Sequence, residues 1–525
     1  MDLNDLNQIE DTGSEMRLEL LRIGCAILFL VGIILFIGMI TSESIPNHTF
    51  LIVSAVIGGY MALNIGANDV ANNVGPAVGS KALTLTGAIF IAMIFESAGA
   101  LIAGGEVVST IKKGIIDPAL INDTDTFIWL MLAALLAAAI WLNTATYFGA
   151  PVSTTHSIVG GVLGAGIAAG GFKIANWAVF GKIAASWVIS PLLGGMIAAL
   201  FLYLIKRTIT YQDDMLTAAK KVLPILIALM AWAFSTYLIL KGLKKIWKVD
   251  FAMAASIGSA ISITLYFFIR PLINNAAKTL DNSKMSVNAL FTIPLIFAAA
   301  FLSFAHGAND VANAVGPLAA INDAINSGGI AKKAAIPLWV MVIGALGLSL
   351  GLALYGAKLI RTVGSEITEL DKMRAFCISM AAAITVIIAS QLGLPVSSTH
   401  IAVGAIFGVG FLREYLKRTD AKRMEEIRLH HEKLDPEATE AFLAEFKQAN
   451  VATKSAMLKK LKEQAKKSET DFTKRERKAL KKVYQEELVK RSHVYKIAAA
   501  WIITVPLSGL LAALLFFTIR GMLIP

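Results

Sequence analysis

The chain has 525 residues, 56% of them hydrophobic and 16% charged, with a mean hydropathy of +0.66. That balance describes a polytopic membrane protein and excludes a single soluble domain. The net charge of +11 is spread over loops and one hydrophilic segment, so it is no nucleic-acid footprint.

The acidic start (Asp2, Asp5, Glu10, Asp11, Glu15) precedes an apolar run from Leu18 to Ile40. That run is too long for the core of a cleaved signal and reads as a first spanning helix. The loop Thr41–Thr49 has no Lys or Arg and leads into a second run, Leu51 to Ile65. Further apolar segments lie near 84–104, 127–148, 152–170, 177–205, 222–240 and 251–269. The last group is 289–306, 336–357, 375–392, 395–412 and 494–519. The expected fold is all-α, with about 12–13 membrane segments, some of them broken or re-entrant. Cys25 and Cys377 both sit in apolar stretches and offer neither a disulfide framework nor metal-ligand spacing.

One heptapeptide occurs twice, as Gly66-Ala67-Asn68-Asp69-Val70-Ala71-Asn72 and as Gly307-Ala308-Asn309-Asp310-Val311-Ala312-Asn313. Each copy closes an apolar run and is followed by a Gly-Pro step, Gly75-Pro76 and Gly316-Pro317. Buried Asn-Asp pairs are costly in a membrane and need a partner, a cavity or a cation. The Gly and Pro flanks predict a helix break, which would free backbone carbonyls beside the carboxylate. Carboxylate, amide and carbonyl oxygens together suit a hard cation such as sodium. A helix cap or packing device is the structural alternative.

A second pair of motifs follows in the same order. Pro151-Val152-Ser153-Thr154-Thr155-His156 recurs as Pro395-Val396-Ser397-Ser398-Thr399-His400. Proline suits a first helical turn, and a helix N-terminus presents unpaired N–H groups to an anion. The hydroxyl run adds donors without charge, although Ser and Thr in membrane helices also bond their own backbone. His156 and His400 read better as orienting groups than as proton shuttles. Glu96 is a third acid in an apolar segment, and its counterpart in the second half is Leu348.

The offsets are 241 residues for Gly66/Gly307, 244 for His156/His400 and 314 for Trp187/Trp501. Two collinear halves are therefore expected, with one insertion late in the second. The expected layout is 1–49 as tail and extra helix, 50–206 as the first transport repeat, and 207–288 as linking loops with two helices. The second repeat follows as 289–412, a basic hydrophilic insertion at 413–492 and a last helix in 493–525. Placing the insertion in the cytoplasm sends the final helix outward, whereas its counterpart 177–205 ends inside at Lys206-Arg207. Equivalent helices then point opposite ways, as in an inverted repeat. This count puts Lys241, Lys244, Lys245 and Lys248 outside, which leaves open whether 222–240 and 251–269 both span.

At both heptapeptides and both Ser/Thr-Thr-His motifs the chain resembles the PiT-type inorganic phosphate transporters, over roughly 50–412 and 494–519. The resemblance implies a carrier of inverted repeats, driven by sodium or in some members by protons, in the cell (inner) membrane. It implies Asn68, Asp69, Asn309 and Asp310 as cation ligands, and Ser153, Thr154, Thr155, Ser397, Ser398 and Thr399 as phosphate ligands. Asn72, Asn313, Glu96, His156 and His400 would support them. The expected function is phosphate symport, with sodium preferred to proton, no resident cofactor, no nucleic-acid partner and no enzymatic activity. Partners would be phosphate, the coupling cation and the bilayer, and a homo-oligomer is compatible with the sequence. The alternatives are a sulfate permease of the same family, an anion channel or a phosphate-binding membrane sensor.

Overall fold

The computed structural model describes residues 3–41, 47–121, 123–148, 152–242, 249–327, 336–365, 370–431 and 491–523. Most of the basic insertion (432–490) lies outside the described residues, as do Pro151, Lys244, Lys245 and Lys248. The described chain is helical apart from short turns and one isolated bridge, Ile116 to Ala175. In the first half the helices are α1 (Leu3–Ile40), α2 (His48–Asn68), α3 (Ala71–Gly79), α4 (Leu85–Ala103) and α5 (Gly105–Lys113). They continue as α6 (Thr124–Tyr147), α7 (Thr154–Gly170) and α8 (Trp177–Ile205). Two connecting helices, α9 (Met215–Gly242) and α10 (Phe251–Ala276), precede the short α11 (Lys284–Leu290). The second half has α12 (Thr292–Ser327), α13 (Leu338–Ser365), α14 (Lys372–Gln391), α15 (Ser398–His431) and α16 (Arg491–Leu523).

Among the described residues, eleven helical stretches are long and apolar enough to cross a bilayer. The 152–170 segment is not among them. It forms α7, whose 17 residues fall short of the roughly 20 a span requires. Instead α7 packs back along α6, and α15 packs likewise against α14, so each half contributes a helical hairpin. Apolar residues on α1, including Leu20, Leu28 and Met39, face outward and suit lipid.

Both helices of the doubtful 222–269 region are candidate spans. They pack together through Ser262 Oγ donating to the Ala228 carbonyl (2.6 Å) and Trp232 Nε1 donating to that of Ala255 (3.2 Å). The Lys241 charge is met by Glu106 of α5 at 3.4 Å, so at least one lysine of the anomalous loop is neutralised locally. A buried ion pair between Lys112 and Asp323 also fastens α5 to α12.

The two heptapeptides differ in backbone. In the first, α2 ends at Asn68 and α3 starts at Ala71, as the Gly and Pro flanks predicted. In the second, α12 runs unbroken through Asp310 and Pro317, against that expectation. The side chains account for the difference. Asn72 Nδ2 donates to the Asp69 carbonyl (3.0 Å), which also accepts from Asn72 N in a tightened turn. Both asparagines also reach across, Asn72 Nδ2 to Thr399 of α15 and Asn313 Nδ2 to Thr154 and Thr155 of α7, so the bond of Asn72 back to Asp69 is what distinguishes the first copy.

Close approaches come in reciprocal sets. A Cβ on Gly66 would collide with the Leu348 carbonyl, and one on its counterpart Gly307 with that of Glu96, the counterpart of Leu348. In the hairpins, Gly164 abuts Gly509 and its counterpart Gly408 abuts Gly195, at the 244 and 314 offsets seen in the sequence. Each half is therefore packed against the other half's helices: α2 on α13, α12 on α4, α7 on α16 and α15 on α8. Small residues at such crossings let backbones touch, where membrane helices gain most of their packing energy.

Gly408→Ala should accordingly destabilise the protein by roughly 1–3 kcal/mol through overpacking. Gly181→Ala, with open space around its Cβ, should leave thermal unfolding in detergent unchanged or slightly raised. Equal melting of the two variants would remove the crossings from the account of stability.

Candidate functional site

The tips of the two hairpins meet the two heptapeptides in the buried centre of the helices. Ser153 caps α7 by accepting from His156 N (3.1 Å), and Ser397 serves α15 by accepting from His400 N (3.3 Å). Each cap satisfies one of the first-turn N–H groups, and the rest of that turn has no intrahelical acceptor. The next hydroxyl in each tip turns to a carboxylate of its own half. Thr154 Oγ1 donates to Asp69 Oδ2 and Ser398 Oγ to Asp310 Oδ2, both at 2.7 Å. The third crosses to the other half: Thr399 Oγ1 donates to Asp69 Oδ1 (2.9 Å) and accepts from Asn72 Nδ2 (2.9 Å). Thr155 Oγ1 accepts from Asn313 Nδ2 (3.1 Å) and donates to the Val396 carbonyl (2.9 Å). Asp69 and Asp310, expected to hold a cation, are thus bonded directly to hydroxyls expected to hold an anion.

Asn68 and Asn309 anchor the site from equivalent positions. Asn68 Nδ2 donates to Thr146 Oγ1 (2.9 Å), and the Asn309 amide meets Ser390 Oγ at 2.8 Å. Three buried amide oxygens, the Oδ1 atoms of Asn72, Asn73 and Asn313, have no hydrogen-bond donor. Buried acceptors normally find a partner, so an unfilled set beside two carboxylates marks where a cation would be useful. His156 and His400 stand behind the tips with ring centroids 4.5 Å apart, and His156 lies 3.8 Å from the Trp187 ring. Trp187 Nε1 donates to the Pro395 carbonyl (3.2 Å), which links the first half to the second hairpin tip.

Symmetry fails around Glu96. Glu96 accepts from Asn73 Nδ2 at 2.7 Å and meets His306 Nδ1 at 2.6 Å, and His306 Nε2 approaches Asp310 Oδ2 at 2.8 Å. All four side chains are buried. The counterparts of Asn73, Glu96 and His306 are Ala314, Leu348 and Ile65, so this chain of polar groups exists once. His306 and Asn73 have no polar counterpart in the other half, so the duplication gives no sign of them. A histidine one position before the second heptapeptide, inside an apolar run, was the available signal. With an acid against each ring nitrogen, both contacts become hydrogen bonds if the ring is doubly protonated or an acid carries the proton. One ligand atom each from Asp69, His306 and Asp310 lie within 4.8 Å of one another, close enough to share a small cation.

A sequence profile of the phosphate transporter family matches residues 65–512. The chain belongs to that family. A protein of Helicobacter pylori named as a phosphate permease is 53% identical over 524 residues, covering 98% of both chains. Another of that name from Haemophilus influenzae is 40% identical over 69% of this chain and 87% of its own. A solved structure described as the sodium-dependent phosphate transporter superposes with a TM-score of 0.74 at 31% identity, covering 90% of this chain and all of its own. With its candidate spans, this family member is a multi-pass integral membrane protein and not an enzyme.

Cutting the asymmetric chain should expose its strength. Glu96→Gln or His306→Gln each leaves a buried charge short of its partner, at a cost of roughly 3–5 kcal/mol. The double variant should lose clearly less than the sum of the two. Additive losses in thermal unfolding would show that the pair is not energetically coupled.

Proposed function

We propose that this phosphate transporter imports inorganic phosphate across the cell membrane by cation symport, with sodium as the coupling ion. The observation that carries the reading is the cluster in which Asp69 and Asp310 hold the hydroxyls of Thr154, Thr399 and Ser398. A hydroxyl has one proton to donate. While that proton is on a carboxylate it is withheld from an anion. A cation bound to the carboxylates and to Asn72 and Asn313 Oδ1 takes over their charge, and the hydroxyl protons can then turn to phosphate. Ser153, Ser397 and Thr155, with the first-turn N–H groups of α7 and α15, complete the anion cradle.

Electrostatics forces the order. Phosphate placed about 4 Å from an uncompensated carboxylate is repelled by about 4 kcal/mol per charge pair at an effective dielectric near 20. Two carboxylates double that, so the anion enters with or after the cation. The reciprocal packing of the halves supports alternating access around this site by inverted repeats. The family description and the relatives' names favour phosphate over sulfate. Proton coupling is the second reading, favoured by the Glu96–His306–Asp310 contacts, which have room for one extra proton.

Purified protein in liposomes, given labelled phosphate and an inward sodium gradient, should accumulate phosphate, and an imposed proton gradient alone should not. Asp69→Asn and Asp310→Asn should each drop uptake to background while eluting as folded protein. If both variants transport normally, the cation assignment is wrong. Accumulation driven by protons alone would move the coupling role to Glu96 and His306.

A further inference from the structure

The tip of the second hairpin is non-helical from Leu392 to Ser397. There α14 closes on a left-handed glycine, Gly393 (φ 65°), with Gly393 N bonded to the Ser390 carbonyl and Leu394 N to that of Ala389. This is a Schellman-type helix end, and it turns the following peptide groups out of the helix. Three carbonyls of this tip accept from side chains of the first half. Thr110 Oγ1 of α5 donates to that of Gly393 (2.6 Å), Trp187 Nε1 of α8 to that of Pro395 (3.2 Å) and Thr155 Oγ1 of α7 to that of Val396 (2.9 Å). The last of these bonds lies one residue before the Ser397 cap and two before Ser398.

The donors on α5 and α8 are themselves held in place. The pairs Lys112–Asp323 and Glu106–Lys241 fasten α5 to α12 and α9, and a Cβ on Gly316 of α12 would collide with Ile111 of α5. The buried Trp187 ring lies against His156 at 3.8 Å and meets Phe180 edge-on at 6.2 Å. A buried carbonyl needs a donor, but that need alone does not call for donors from three elements of the other half. A binding constellation, in contrast, has to be held to within about 0.5 Å by its supporting contacts. We propose that Thr110 and Trp187 are positioning residues for phosphate, holding the second hairpin's tip so that Ser398, Thr399 and the first-turn N–H groups of α15 converge on the anion. Both act through the backbone of the tip. The inference rests on the reading of those hydroxyls as phosphate ligands.

The test measures binding of labelled phosphate, in saturating sodium, to the purified full chain and to three variants. Thr110→Val keeps the shape of the side chain and removes the donor, whereas Thr110→Ser keeps the donor. Thr110→Val and Trp187→Phe should each weaken phosphate binding roughly fivefold, and Thr110→Ser should stay within about twofold of the unaltered protein. Sodium binding without phosphate should be unchanged in all three, whereas a merely structural lesion would weaken both ligands. Should Trp187→Phe fail to fold, the two Thr110 variants carry the test. Unchanged phosphate affinity in Thr110→Val, equal losses of sodium and phosphate, or no recovery with serine would overturn the inference. Failure of the unaltered protein to bind phosphate would overturn the reading of the cradle, and the inference with it.

Discussion

Asp69 and Asp310 are buried at the meeting point of four helix ends, and among the described residues His306 is the one basic side chain within ion-pair reach of either. Charged groups removed from water demand compensation, and hydrogen bonds from hydroxyls supply only part of it. Much of the surrounding architecture serves that demand. The hairpins bring donors to the carboxylates, the serine caps fix the direction of the donors, and glycine crossings let the hairpins come close enough. Among the described residues, the Oδ1 atoms of Asn72, Asn73 and Asn313 remain without a donor, and a cation would meet that demand.

The duplication gives the site its economy. Thr154 and Ser398 each serve the acid of their own half, while Thr399 reaches the acid of the other. A movement of the α15 tip therefore disturbs both carboxylates at once, which is what a carrier needs if ion and anion are to be released together. Departures from symmetry include Asn73, Glu96 and His306, the broken first heptapeptide against the continuous second, and Thr399, which donates to Asp69 where its counterpart Thr155 donates to the Val396 carbonyl. Identical halves would hold two equal sites; the added histidine and glutamate make the environment of Asp310 different from that of Asp69.

Much of this was legible in the residues. The heptapeptides and hydroxyl runs stood out because polar groups in apolar segments are costly, and their spacing showed two collinear halves. The sequence did not disclose that the hydroxyls of Thr154 and Ser398 would bond the acids directly, because pairing between distant segments leaves no local signature. It misled on Pro317: the proline that suggested a break is accommodated inside α12, since Asn313 bonds across to α7 rather than back to its own turn. Of the four lysines that looked anomalous, Lys241 meets Glu106 of a distant helix, and the other three lie outside the described residues. His306 was hidden because it has no polar counterpart in the other half.

The central claim is that cation and phosphate occupy one coupled cluster, and binding linkage tests it most directly. Labelled phosphate binding to the purified protein should be measured in sodium and in choline, and sodium binding with and without phosphate. The account predicts that each ligand tightens the other by the same factor, on the order of 5–150-fold. Equal phosphate affinity in sodium and choline would mean that the carboxylates and the hydroxyl tips act independently, and would contradict it.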